Sequence, residues 1–189
     1  MPVARGSRAR GRVRIHTPGR RDRDEFLELV RRSRRLHRGW VEPGNTAAAY
    51  AAYLKRTRGP PYAGFLLRRV EDDALVGVVN VNEIVRGALQ SGYLGYWVGG
   101  PFARQGYMTE GLARVLRVAF GPLKLHRVEA NIQPDNAASI ALVRRLGFRH
   151  EGRSRRYLKI AGRWRDHERF ALLAEPWPRP SDEGDGSIP

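Results

Sequence analysis

Near the middle of the chain a strand pattern gives way to a helix pattern across a short glycine-containing loop. Gly95-Tyr96-Trp97-Val98 closes an apolar run over residues 90–98. Two glycines follow, and Pro101-Phe102-Ala103-Arg104-Gln105-Gly106-Tyr107-Met108-Thr109-Glu110 leads through a basic loop into a helix that begins at Gly106. A helix started in this way leaves its first N–H groups without intrahelical partners and turns its positive end toward the same point. A phosphate-bearing ligand fits such a corner, and glycine suits it because several N–H donors must approach the phosphate with no side chain between them. Taken by itself the loop also reads as an ordinary turn before an amphipathic helix. It is no dinucleotide fingerprint, since the Gly-x-Gly-x-x-Gly spacing and the acidic residue that follows it are missing.

Hydrophobic period changes across this loop. Before it, residues 63–70, 75–83 and 90–98 alternate like strands, with turns at Glu71-Asp72-Asp73 and Arg86-Gly87. A meander of this kind is antiparallel. In residues 75–83 the pattern places Val76, Val78, Asn80 and Asn82 on one side and Gly77, Val79, Val81 and Glu83 on the other. Further upstream, Val13-Arg14-Ile15-His16 reads as a short strand ended by Pro18. Residues 22–35 read as a helix with Asp22 or Asp24 as cap, and residues 46–55 as a second helix. After the loop, Met108, Leu112, Val115, Leu116, Ala119 and Phe120 fall at helical spacing until Gly121-Pro122. A strand over 127–133, a helix over 136–146 and strands over 148–152 and 167–173 follow. The fold class is α+β in one domain over residues 12–175. Residues 1–11 form a basic, disordered leader and residues 176–189 a polar, mobile tail.

A second constellation lies beyond residue 130. Asn131, Gln133, Pro134, Asp135, Asn136 and Ser139 mark the point where a strand stops and a helix is capped, and capping alone explains these residue types. A third is Arg156-Tyr157-Leu158-Lys159-Ile160 with Gly162-Arg163-Trp164-Arg165-Asp166-His167, a hairpin that turns at Gly162. Asp166-His167 suggests part of a hydrolase triad, but no Gly-x-Ser-x-Gly elbow accompanies it. Scattered His and acidic residues and a complete lack of cysteine give no metal site, no disulfide and no cysteine nucleophile.

Together the loop, the Asn136-Ala137-Ala138-Ser139 helix start and the Leu146-Gly147-Phe148 helix end resemble the GCN5-related N-acetyltransferase (GNAT) family along residues 12–175. Arg86-Gly87, Tyr93-Leu94-Gly95-Tyr96-Trp97 and the 156–167 segment look like its ribosomal-protein alanine N-acetyltransferase (RimJ/RimL) branch. The resemblance implies a mixed central sheet flanked by helices and acetyl-coenzyme A as co-substrate, without a metal. It implies that Tyr96, Trp97, Val98, Arg104, Gln105, Gly106, Tyr107, Met108, Thr109, Asn131, Asn136 and Ser139 bind the cofactor. The family places glycine at both ends of a Gly-x-Gly here, whereas this chain has Arg104 at the first, whose guanidinium is suited to phosphate. In this family an amine attacks directly. Glu83, at a strand end, is the implied base through a water. A tyrosine of the second helix is a common acid, but Val143 stands in that place, and Ser139 is the implied donor to sulfur.

Composition narrows the setting. A net charge of +16 draws the protein toward acidic partners: RNA, a ribosome or a polyanionic cofactor. A preference for arginine is the other explanation, as only three lysines occur (Lys55, Lys124, Lys159). No apolar run approaches the ~20 residues of a membrane span, and the basic N-terminus lacks the apolar core of a secretory signal. The expectation is a cytoplasmic enzyme, monomer or homodimer, acetylating the N-terminal α-amine of a protein, a ribosomal protein above all. Two other readings are a small-amine acetyltransferase for polyamines or antibiotics and a noncatalytic RNA- or ribosome-binding module on the same fold.

Overall fold

The computed structural model describes residues 11–175. The expected leader, apart from Gly11, and the expected tail lie outside the described residues. Strands β1 (Val13–His16), β2 (Ala63–Arg69), β3 (Leu75–Val85) and β4 (Ser91–Val98) pair antiparallel in chain order, as the meander predicts. Strand β5 (Arg127–Ile132) lies parallel to β4. Strand β7 (Arg163–Leu173) then inserts between β5 and β6 (Arg149–Ile160), so the sheet runs β1-β2-β3-β4-β5-β7-β6. The fold is α+β with a mixed sheet.

Helices cover both faces. On one, α1 (Arg23–Arg32) and α3 (Ala47–Thr57) set Phe26, Leu29, Val30, Tyr50 and Leu54 against Leu66, Leu75, Val78 and Trp97. On the other, α4 (Tyr107–Phe120) and α5 (Ala137–Arg145) set Leu112, Val115, Leu116, Ala119 and Val143 against Leu67, Val79, Val81 and Val128. A short helix, α2 (Arg34–His37), follows α1 after a break at Ser33. Ser33 Oγ causes that break locally: it donates to the Leu29 carbonyl at 2.6 Å and accepts from Gly100 N–H at 2.8 Å. Asp22 precedes α1 but makes no cap bond to it. Its buried carboxylate takes Gly19 N–H at 2.8 Å and Arg68 at 2.7 Å, which ties the entry of α1 to β2. Thr46 caps α3 by accepting Ala49 N–H at 3.1 Å.

Two bulges correct the alternation read from β3. Leu67 pairs with Gly77 but Arg68 with Leu75, so Val76 is an extra residue. It therefore joins Val79 and Val81 in the α4-side core, while Leu75 and Val78 face α1 and α3. Strict period two cannot foresee such a phase slip. The second irregularity falls between Asn82 and Val85, and there Glu83 takes φ = 49°.

The final hairpin turns at Gly162 as the sequence suggests, and its strands run on without a break into those on either side. Strands over 148–152 and 167–173 become β6 and β7, joined by Ala161 (φ 49°) and Gly162 (φ 76°), the sign pattern of a type I′ turn. Arg153, Arg155, Arg156, Arg163 and Arg165 break up the apolar alternation of its outer part.

Candidate active site

The sheet opens at its centre. Strands β4 and β5 pair with each other only from Ser91–Arg127 to Tyr93–Glu129; beyond that point β4 stays paired to β3 and β5 to β7, but not to one another. The two ends splay into a wedge, and two clefts meet in it. One, of about 470 Å³, runs past the start of α4 and along α5. The other, of about 530 Å³, is lined from β3, β4, β5, β6 and β7. Tyr96, Asn136, Ser139, Trp40 and Val41 line both.

The first cleft has the features a phosphorylated ligand requires. Gly106 takes φ = 83° and precedes α4 without any side-chain cap. The helix ladder begins with Glu110 N–H to the Gly106 carbonyl at 3.2 Å, so the N–H groups of Tyr107, Met108 and Thr109 precede it. Arg104 also takes positive φ, at 61°, where a glycine would be free of strain. An L side chain pays about 1 kcal/mol there. Positive φ on either side of Gln105 curls the backbone into a concave run of N–H donors. A side chain at Gly106 would both strain that backbone and bring its Cβ to 3.0 Å from Arg12 Nη2. Deeper in the cleft, His37 bonds the Val98 carbonyl through Nε2 at 2.9 Å, and its Nδ1 is buried without a partner. Burial pushes this imidazole below its ordinary value, so it is neutral and Nδ1 offers a lone pair to an amide N–H. Acetyl-coenzyme A, with a pyrophosphate at one end and amides along its arm, fits these groups.

Most cofactor candidates named from the sequence gather here. Trp97, Val98, Arg104, Gly106, Met108 and Thr109 line this cleft, and Tyr96, Asn136 and Ser139 stand where it meets the second. Asn136 Oδ1 accepts Ser139 N–H at 3.1 Å, so the cap also orients Ser139. Gln105 and Tyr107 turn their side chains away. Gln105 Nε2 donates to the Pro101 carbonyl at 2.9 Å, and Tyr107 is buried against Phe102 and under Arg12. Only their backbone groups are left to face a ligand at this corner. Asn131 and Glu83 line the other cleft.

Pairing on β4 decides where its last backbone groups point. Gly99 N–H bonds the Val76 carbonyl at 2.8 Å, toward β3. Successive residues of an antiparallel strand turn their backbone N–H and C=O groups to opposite edges. Val98 therefore directs its N–H into the wedge.

At the junction Tyr96 Oη and Ser139 Oγ lie 2.5 Å apart. Burial pushes the Tyr96 hydroxyl up to about 12, with the bond to Ser139 working the other way. Tyr96 therefore keeps its proton at neutral pH. Val143, where a helix tyrosine stands in many relatives, is fully buried in the core. The hydroxyl beside Ser139 comes from β4 instead.

A model of the acetyltransferase (GNAT) domain matches residues 12–149. The probable N-acetyltransferase YjcK of Bacillus subtilis is 41% identical over 131 residues, covering 69% of this chain and 70% of that protein. The chain belongs to the GNAT acetyltransferase family. It is an acetyl-coenzyme A-dependent N-acetyltransferase. The [ribosomal protein uS5]-alanine N-acetyltransferase of Escherichia coli is 38% identical over 107 residues, 57% of this chain and 55% of that protein, so the match spans about half of this relative. Among solved structures, Mycobacterium smegmatis RimJ in complex with CoA-disulfide superposes with a TM-score of 0.81 at 28% identity, over 88% of this chain and 84% of that one. A Vibrio cholerae spermidine N-acetyltransferase shares the GNAT fold, with a TM-score of 0.75 at 20% identity over 88% of this chain and 98% of that one.

The second cleft is the part that sequence reading missed. Arg56, Tyr62, Asn80, Asn82, Tyr93, Tyr157 and His167 join Glu83 and Asn131 there. Glu83 is exposed at the rim, aimed by its bulge. Trp40 and Val41 overhang both clefts, and Gln133 Nε2 donates to the Gly39 carbonyl at 2.8 Å to hold that overhang across the wedge. No helix among the described residues is long and apolar enough to cross a membrane.

Proposed function

We propose that this enzyme acetylates the N-terminal α-amine of a protein, with a ribosomal protein as the physiological acceptor. One observation carries the reading. The cleft opposite the cofactor side is large and mixes asparagines and tyrosines with apolar side chains, yet Glu83 is its only lining carboxylate among the described residues, with Arg56 in the same lining. A polyamine carries several cations and requires several carboxylates to replace their hydration. A peptide N-terminus carries one ammonium, followed by amide groups that Asn80, Asn82, Asn131 and Tyr93 can bond. Similarity to the uS5-alanine enzyme supports the same acceptor. The +16 charge favours residence near ribosomal RNA, hence in the cytoplasm.

Acetyl-coenzyme A supplies an acetyl group activated as a thioester. In this proposal Arg104 and the N–H groups at the start of α4 hold its phosphates, and His37 Nδ1 accepts from its arm. Val98 N–H steadies the thioester oxygen, where negative charge grows. Ser139 Oγ hands a proton to the departing sulfur, and Tyr96 Oη refills it across 2.5 Å. Glu83 draws the ammonium to the cleft mouth. An α-amine is easier to deprotonate than lysine, with ordinary values near 8 and 10.4.

The experiment offers peptides bearing both an α-amine and a lysine, beginning with Ala or Ser, beside a panel of polyamines and aminoglycosides. Mass spectrometry should locate the acetyl group on the α-amine. Acetyl only on lysine, or only on the small amines, would overturn this acceptor. Tight acetyl-coenzyme A binding without any turnover would favour the noncatalytic alternative.

A further inference from the structure

We propose that Asn131 and His167 form the subsite that receives the acceptor's ammonium, and that His167 Nε2 takes the proton the nitrogen must lose. The inference rests on the assignment of the second cleft to the acceptor. Asn131 Nδ2 donates to Tyr157 Oη at 3.4 Å, but Asn131 Oδ1 is buried with no donor. A buried carbonyl oxygen left empty is costly, and it marks the place of a ligand N–H. His167 is 2% exposed and lines the same cleft. Its Nδ1 bonds the Arg165 carbonyl at 3.0 Å, so the proton sits on Nδ1 and the lone pair on Nε2. Burial pushes the ring below its ordinary 6.5, so it is neutral near pH 7.

An amide oxygen and a neutral imidazole lone pair are two acceptors without fixed charge. They suit one ammonium and select poorly for several. Tyr157 positions both partners. Its hydroxyl lies on Asn131, and its ring stands 5.9 Å from that of His167. Glu83, by contrast, is exposed, and water screens its pull.

The ammonium proton moves to His167 Nε2, and the freed lone pair forms the N–C bond to the acetyl carbon. The C–S bond breaks with its electrons on sulfur. The nitrogen sheds its second proton to water, sulfur gains one from Ser139 Oγ, which Tyr96 Oη and then water restore, and His167 releases its own to water, so that one proton leaves in all.

Titratable groups lining this cleft besides His167 are Tyr93 and Tyr96 from β4, Tyr157 from β6, Glu83 from β3, Arg56 from α3 and Tyr62 just ahead of β2, and Asp166 stands beside His167 on β7. Asp166 is held below the usual carboxylate range by the Arg156 N–H and Arg153. Because His167 must be neutral to act, its contribution is present above its own value and lost as pH falls through it.

The test measures kcat/KM from acid to mildly alkaline pH, with an N-terminal alanine peptide and with a small amine, for wild type, His167→Gln, Asn131→Ala and Glu83→Gln. His167→Gln should lose about 100-fold at neutral pH and the acidic limb of the profile, with the acetyl-coenzyme A KM unchanged. Asn131→Ala should raise the acceptor KM about tenfold and keep the limb. A folded His167→Gln with the wild-type profile overturns the proposal. If that variant does not fold, an unchanged acceptor KM in Asn131→Ala overturns it. A wild type that accepts only small amines would end the N-terminal reading while His167 is judged on that amine.

Discussion

The two clefts that meet at Tyr96 and Ser139 are built in opposite ways. The cofactor side takes its phosphate corner from backbone of nearby residues: the end of β4, the curl at Arg104 and Gly106 and the bare start of α4. The capped start of α5 lies beside it, and side chains such as His37 and Trp40 close it from α2 and the loop after it. Side chains such as Gln105 and Tyr107 point elsewhere without disturbing it. The acceptor side is almost wholly side chains, collected from α3 and five strands that are far apart in the chain. A ligand shared by a whole family can be held by main-chain groups that tolerate sequence change, whereas an acceptor that differs between enzymes calls for replaceable side chains.

If this contrast is right, the largest effect belongs to a change in backbone on the cofactor side. Gly106→Glu should lower acetyl-coenzyme A affinity by about 100-fold or more, because a carboxylate then occupies the phosphate position. Thermal melting checks it. Cofactor at 100 times its Kd should raise the wild-type Tm by roughly 5–10 °C, and the folded variant should show no rise. A variant with wild-type affinity would reduce the loop to a turn and erase the contrast.

A change at the junction should act on chemistry alone. Ser139→Ala is expected to lower kcat by about 100-fold, with acetyl-coenzyme A binding by calorimetry within about threefold of wild type. Tyr96→Phe should cost less, since solvent can refill Ser139 more slowly by another route. Loss of binding in place of turnover would move Ser139 from chemistry to cofactor capture.

The smallest effect belongs to the acceptor rim. Glu83→Gln should raise the acceptor KM about two- to fivefold and leave kcat near wild type. That difference should shrink in high salt as exposed charges are screened. A kcat loss of about 100-fold would instead make Glu83 the base and sharpen the comparison by moving the chemistry outward from His167.

Legibility in the chain followed the same division. The strand, loop and helix of residues 90–120 could be read because hydrophobic period, glycine and helix-start chemistry act over a few neighbours. The same holds for the Asn136 cap, which bonds Ser139 three positions on. Asn131 was grouped with the cofactor residues because it stands near Asn136 in sequence, yet the sheet turns it toward Tyr157. His37 went unremarked, since its bond to Val98 spans 61 residues.

The sequence by itself determined the α+β order of elements, the antiparallel meander, the helix start at Gly106 and the capped serine at the next helix, all products of short-range steric and hydrogen-bond preferences. Tertiary structure decided the slip at Val76, the aim of Glu83, the meeting of Tyr96 with Ser139 and the cluster of Asn131, Tyr157 and His167. Each of these depends on strand register and on the splay of β4 from β5. Those are set by the packing of whole helices on both faces of the sheet, which no local stretch of chain encodes.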